Sequence, residues 1–156
     1  MAGKKSCDRL ELREARPADL PEVLALLRQA DLPAAGVAEA FSQFYVADNQ
    51  GTLVGAAGLE VYGASALLRS VVVGDDWRGT GVGRSLIDHA LDQARQHGIA
   101  DVFLLTTTAE HYFPRFGFAC VTRDSVTGDV KSSVEFQGAC PASAVVMRKS
   151  LTGAGA

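Results

Sequence analysis

Three glycines at alternate positions, in Arg78-Gly79-Thr80-Gly81-Val82-Gly83, constrain this chain more than any other feature. They follow a short apolar run, Val71-Val72-Val73. After them Val82, Leu86, Ile87, Ala90, Leu91 and Ala94 recur on one stripe with charges opposite. The run is strand-sized, and the stripe has the period of a half-buried helix. Strand, sharp glycine turn and helix in succession form a unit of α/β architecture. Such a turn can also bind an anion, because glycine lets several N–H groups converge and the helix N-terminus adds partial positive charge. Arg78 and Arg84 flank it and can supplement the amides. The alternative is a tight turn that needs glycine for its geometry alone.

The flanking segments extend the pattern. Leu10 to Ala15 alternates apolar and polar residues and predicts an opening strand. Asp19 and Glu22 have the spacing of a capping box, and Leu20, Val23, Leu24 and Leu27 supply a helical face. Pro33 and Gly36 interrupt that helix, and a short second one is expected from Val37 to Phe41. Phe44–Ala47 and Thr52–Leu59 flank the turn Asp48-Asn49-Gln50-Gly51, a hairpin, and Ala66–Val73 suits the sheet centre. His97-Gly98 ends the helix after the glycine loop. Asp101–Thr106, Phe118–Thr122 and Ala144–Arg148 complete the strands, with a short helix from Ala109 to about Phe116. Arg123 to Gly138 is polar and reads as a mobile loop with a helical turn. The expected fold is α/β with a mixed sheet of about seven strands and helices on both faces. It forms one domain, 1–156, with its core at about 10–151.

Composition narrows the function. A chain of 156 residues that is 47% apolar buries a core without disulfides or metals. A net charge of −3 argues against nucleic acid or an anionic membrane as partner. No apolar run approaches the roughly 18 residues of a membrane span, and residues 1–8 lack an apolar signal region. Cys7, Cys120 and Cys140 lie far apart without metal or redox spacing, so a reduced cytoplasmic setting and no metal are expected.

The glycines fit three nucleotide motifs at first sight, and two fail. A Walker-type loop ending Gly83-Arg84-Ser85 has Arg78 in place of its first glycine and Arg84 in place of lysine. The dinucleotide fingerprint needs a third glycine where the two possible frames put Leu86 or Arg84. The segment Val71 to Gly83, an apolar strand followed by Arg-x-x-Gly-x-Gly spacing, resembles the central motif of GNAT acyltransferases. Thr106-Thr107-Thr108-Ala109-Glu110-His111-Tyr112-Phe113-Pro114-Arg115-Phe116-Gly117-Phe118 resembles that family's second cofactor motif, which ends in Gly-Phe. The order of elements matches from Leu10 to Leu151. More narrowly, Gly58-Leu59-Glu60, Leu67-Leu68-Arg69-Ser70 and Cys140-Pro141-Ala142-Ser143-Ala144 are similar to arsenic-resistance N-acetyltransferases.

The resemblance implies acetyl-CoA as cosubstrate and a small-molecule amine as acceptor, either an amino acid or an amino-acid-like toxic compound such as an arsenical. It places Val71, Val72 and Val73 along the pantetheine arm. Arg78, Gly79, Thr80, Gly81, Val82, Gly83, Arg84 and Ser85 then surround the pyrophosphate, with Thr106, Ala109 and Phe113 as further cofactor contacts. It also assigns an N–H near Val71 to the thioester oxygen, as an oxyanion donor, and many relatives dimerise. The attacking amine must be neutral, so a base is needed. Glu60, at a strand end, is the candidate, the alternative being an exposed carboxylate. Arg69, a charge within an apolar strand, suits either a buried ion pair or an acidic substrate group. Phe113 stands where many relatives have the tyrosine that protonates the departing thiolate, and Tyr112 beside it points about 100° away on a helix. His89 and His97 suit solvated positions, His111 suits either a solvated position or a catalytic one near the cofactor cleft, and Trp77 suits packing against the loop. A module that binds acetyl-CoA without turnover, as a sensor, is the second reading.

Overall fold

Alternation at Leu10–Glu14 produces β1, and the helix α1 (Leu20–Gln29) follows a 3-10 turn at Pro17–Asp19. The chain continues through β2 (Phe44–Asn49), β3 (Thr52–Tyr62), β4 (Ser65–Val73), α2 (Val82–Gln96), β5 (Asp101–Thr106), β6 (Ala119–Val121) and β7 (Val145–Ser150). This computed structural model describes residues 10–107, 109–126, 129–133, 136 and 144–151. Cys7, Thr108, Cys140 and the quoted segment 140–143 therefore lie outside the described residues, as does most of 134–143. The strands form one mixed seven-stranded sheet in the order β1-β2-β3-β4-β5-β7-β6, the α/β architecture expected. β1–β2, β2–β3, β5–β7 and β6–β7 are antiparallel, whereas β4 and β5 run parallel. Among the described residues no helix is long and apolar enough to cross a membrane.

The chain divides into two compact units, one holding the described residues of Met1–Gly58 and Ser70–Asp92, the other those of Leu59–Arg69 and Gln93–Ala156. In the first unit Val23 and Leu27 of α1 join Val37, Phe41, Phe44, Val46, Leu53, Ala56 and Val72 in one core. Gly58 is required there, since a Cβ would lie 2.6 Å from the Phe44 ring. The β2–β3 hairpin closes through Gln50 (φ 54°) and Gly51 (φ 98°), and Asp48 Oδ1 accepts the Gly51 N–H at 2.7 Å. Two successive left-handed residues match the twist of the flanking strands. In the second unit Leu67, Phe103, Val126, Val130 and Val146 form the core, with Tyr62, Leu105, Val121 and Phe136 packed against it.

Several local expectations need correction. The capping box does not form: Asp19 accepts from Arg16 N–H and the Arg13 guanidinium, and Glu22 accepts the Leu53 N–H at 3.2 Å. The Arg13 guanidinium meets both Asp19 oxygens and brings the opposite charge, which a backbone amide at the cap lacks. The second helix near Val37–Phe41 is a set of turns ending in a 3-10 turn at Phe41–Gln43. So short a segment cannot offset the cost of helix nucleation. Ala109–Phe116 likewise yields only a 3-10 turn at Phe113–Phe116, because Pro114 supplies no N–H and Gly117 (φ 95°) ends it. Of the segment from Arg123 to Gly138, the described residues carry 3-10 turns at Arg123–Ser125 and Asp129–Ser132, in keeping with the helical turn expected, and bury Val126 and Val130.

Candidate active site

In the first unit, β4 delivers the chain into a 3-10 turn at Asp75–Trp77, then the glycine loop, then α2. Trp77 is buried, and its carbonyl accepts both the N–H and the hydroxyl of Thr80. Gly79 (φ 77°) and Gly81 (φ 95°) take the left-handed conformation, and a Cβ on either would meet nothing within 4 Å. These two glycines are thus needed for backbone conformation, not for space. The Ser85 N–H reaches the Gly81 carbonyl at 3.0 Å and closes the first turn of α2. Val82 is fully buried and seats that turn. The first-turn amides of a helix have no intrahelical carbonyl to bond, so they face out of its end as an anion-binding surface. Arg78 lies beside the loop in an exposed pair with Asp75 at 3.3 Å. Arg84 is exposed on the first turn and Ser85 half-buried.

Within β4, Val72 is buried and Val71 and Val73 are half-buried. The residue before them, Ser70, has φ 57°. A left-handed residue other than glycine costs about 1–2 kcal/mol and breaks the alternation of a strand. Nothing in the sequence marks Ser70 for this role. The pairing of β4 with β5 runs only from Ser65↔Asp101 to Leu67↔Phe103, while β4 continues to Val73 and β5 to Thr106.

In the second unit, Glu60 and Arg69 occupy one site. The Arg69 Nη1 lies 2.9 Å from Glu60 Oε2, with side-chain exposures of 0% and 5%. Tyr62 Oη donates to Glu60 Oε1, so both carboxylate oxygens are engaged. Glu60 is therefore buried within a strand, not exposed at its end. Tyr62 was missed, although its place two residues after Glu60 on a strand puts both side chains on one face.

The second motif is ordered around its aromatics. The Thr106 hydroxyl accepts the Ala109 N–H at 2.9 Å. Phe113 is buried with edge-on contacts to Tyr112 at 5.4 Å and Phe118 at 5.9 Å. Arg115 stacks 4.7 Å from the Tyr112 ring. Of the histidines, His97 and His111 are exposed, whereas His89 is half-buried, with its ring edge-on to Tyr45 at 5.0 Å. Among the described residues no three His, Cys, Asp or Glu side chains cluster as metal ligands.

The family described as Acetyltransferase (GNAT) domain matches residues 40–120. An amino-acid acetyltransferase of Mycobacterium tuberculosis is 31% identical over 131 residues, covering 76% of this chain and 74% of the relative. One from Ralstonia nicotianae is 32% identical over 98 residues, 62% of this chain but 22% of its own length. The chain thus spans about a fifth of that relative's length. Among solved structures, N-acetylglutamate synthase from Neisseria gonorrhoeae, complexed with coenzyme A and N-acetyl-glutamate, superposes with a TM-score of 0.79 at 22% identity. That match covers 92% of this chain and 35% of the synthase, and it shows a common fold.

Proposed function

The chain belongs to the GNAT family of acetyltransferases, and on that premise we propose that it transfers the acetyl group of acetyl-CoA to the amine of a small amino acid. The observation that carries this reading is the left-handed Gly79–Gly81 loop at the head of α2, a geometry that supports an anion site. The substrate class is supported by the relatives, which bear amino-acid acetyltransferase names and match up to three quarters of the chain. Those relatives are named amino-acid acetyltransferases and not arsenic-resistance proteins, and an ordinary amino acid is the acceptor proposed. The active unit is the one domain expected from the sequence. Its setting is the cytoplasm, whose reducing conditions suit the free, exposed Cys120 thiol.

Acetyl-CoA supplies an activated thioester. In the first unit the amides of Gly79 and of Gly81 to Arg84 hold its pyrophosphate, the Thr80 N–H being engaged by the Trp77 carbonyl. Arg78 and Ser85 add side-chain donors, and the Val71–Val73 backbone lies along its arm. The Val71 N–H donates to the thioester oxygen as the amine attacks; removing one such donor costs about 3 kcal/mol in other enzymes. In the second unit Thr106, Ala109 and Phe113 are retained as cofactor contacts on their motif positions. With phenylalanine at position 113, the thiolate leaves without a protein acid at that point, which the modest basicity of a thiol permits.

The test is thiol release from acetyl-CoA across a panel of L-amino acids, their amides and the matching decarboxylated amines. Release should be fastest with a free amino acid. Faster turnover of the decarboxylated amines would overturn the substrate class, and cofactor binding without release for any amine would overturn acetyl transfer itself.

A further inference from the structure

We propose that the buried Arg69–Glu60 pair is a strut that holds β4 in its kink at Ser70 and thereby aims the N–H of Val71. Both are then positioning residues, not an anchor for substrate and a base. The inference deepens the reading above and rests on the Val71 amide meeting the thioester oxygen.

Three observations converge on it. The side chains of Arg69 and Glu60 are 0% and 5% exposed, so neither offers an atom to a bound amine. Glu60 is held on both oxygens, by Arg69 Nη1 at 2.9 Å and by the Tyr62 hydroxyl. The residue bonded to Arg69 is Ser70, at φ 57° inside a strand. A strained conformation of that kind persists only where its surroundings over-determine it. An immobilised guanidinium fixes the Arg69 backbone and one end of the Ser70 residue. The Ser70 carbonyl and the Val71 N–H share one planar peptide, so the Ser70 torsions decide where that N–H points. Relaxation of Ser70 to extended geometry would restore strand alternation and turn the N–H away.

The test compares Glu60→Gln, Arg69→Met, and Arg69→Met combined with Ser70→Gly, in steady-state kinetics across pH and in crystal structures. Glu60→Gln keeps the shape of the side chain and so guards against simple misfolding. It should lower kcat about tenfold, a fraction of what loss of a whole oxyanion donor produces, equally at every pH, with the KM for acetyl-CoA changed less than about twofold. Arg69→Met should lower kcat further and release Ser70 from positive φ in the crystal. Adding Ser70→Gly should restore most of the loss, because glycine takes that conformation freely. Removal of the acidic limb of the pH–rate profile by Glu60→Gln would identify a base and overturn the strut. A Ser70 φ unchanged in the Arg69→Met crystal would overturn it as well. If wild type acetylates no amine while the crystals behave as expected, the strut stands and the acetyl-transfer reading fails.

Discussion

At the scale of single residues, sequence reading found positions whose role follows from residue type and missed those whose role follows from conformation. Gly81 was legible because a glycine between a strand and a helix stripe has few other uses. Its φ of 95° with open space around a Cβ makes the requirement purely conformational. Substitution should therefore follow tolerance of left-handed backbone: Gly81→Asn costs little, Gly81→Ala about 1–2 kcal/mol, and Gly81→Val more. Urea unfolding would read the series, and an alanine variant as stable as wild type would show that the turn relaxes. Ser70 adopts a comparable φ of 57° without being glycine, and serine carries no signal of it. Glu60 and Arg69 were each legible as charges out of place in apolar strands. That they neutralise each other depends on which strands pair, which neither residue states.

At the scale of elements, long periodic segments came through and short ones did not. The stripe from Val82 to Ala94 is a real helix, and its end at Gly98 is closed by bonds from Gly98 to Arg95 and from Ile99 to Ala94. The segments at Val37–Phe41 and Ala109–Phe116 carry helix-compatible residues but are too short to propagate. The start of α1 failed for another reason. Arg13 on β1 lies 2.8 Å from Asp19 and 3.1 Å from Asp48 on β2, a contact no local window contains. The Arg13 guanidinium, helped by the Arg16 N–H, lowers the Asp19 carboxyl below its ordinary value. The ionised form is thus favoured by folding, so this stabilisation is complete above about pH 4 and is lost as pH falls through the lowered value. Acid unfolding of Asp19→Asn should begin from lower stability at neutral pH and depend less on pH. Parallel pH profiles for the two proteins would exclude Asp19 as a source of acid sensitivity.

At the scale of the whole molecule, ligand binding and folding are linked. Coenzyme A at about a hundred times its Kd should stabilise the protein by about 2.7 kcal/mol, seen as a rise in Tm. Gly81→Val should reduce that rise, because the same substitution that strains the turn displaces the amides proposed to hold the pyrophosphate. An unchanged rise would place the cofactor elsewhere. The seven-stranded order β1-β2-β3-β4-β5-β7-β6 was legible in number and class but not in its final inversion. There β7 enters between β5 and β6, a long-range pairing decided by Leu104↔Met147 and Cys120↔Met147 on opposite edges of one strand.

The sequence by itself determined the glycine turn, the helix behind it and the strand before it, because residue type and period act within a few residues of each other. It thereby raised the expectation of an anion cradle, and joined to the segment from Thr106 to Phe118 it pointed to the family. Only the tertiary structure decided that Glu60, Tyr62 and Arg69 meet, and that Ser70 takes a positive φ within β4. Those facts arise from pairing and burial between segments, where the cost of an unpaired charge or a strained torsion is settled by neighbours distant in the chain.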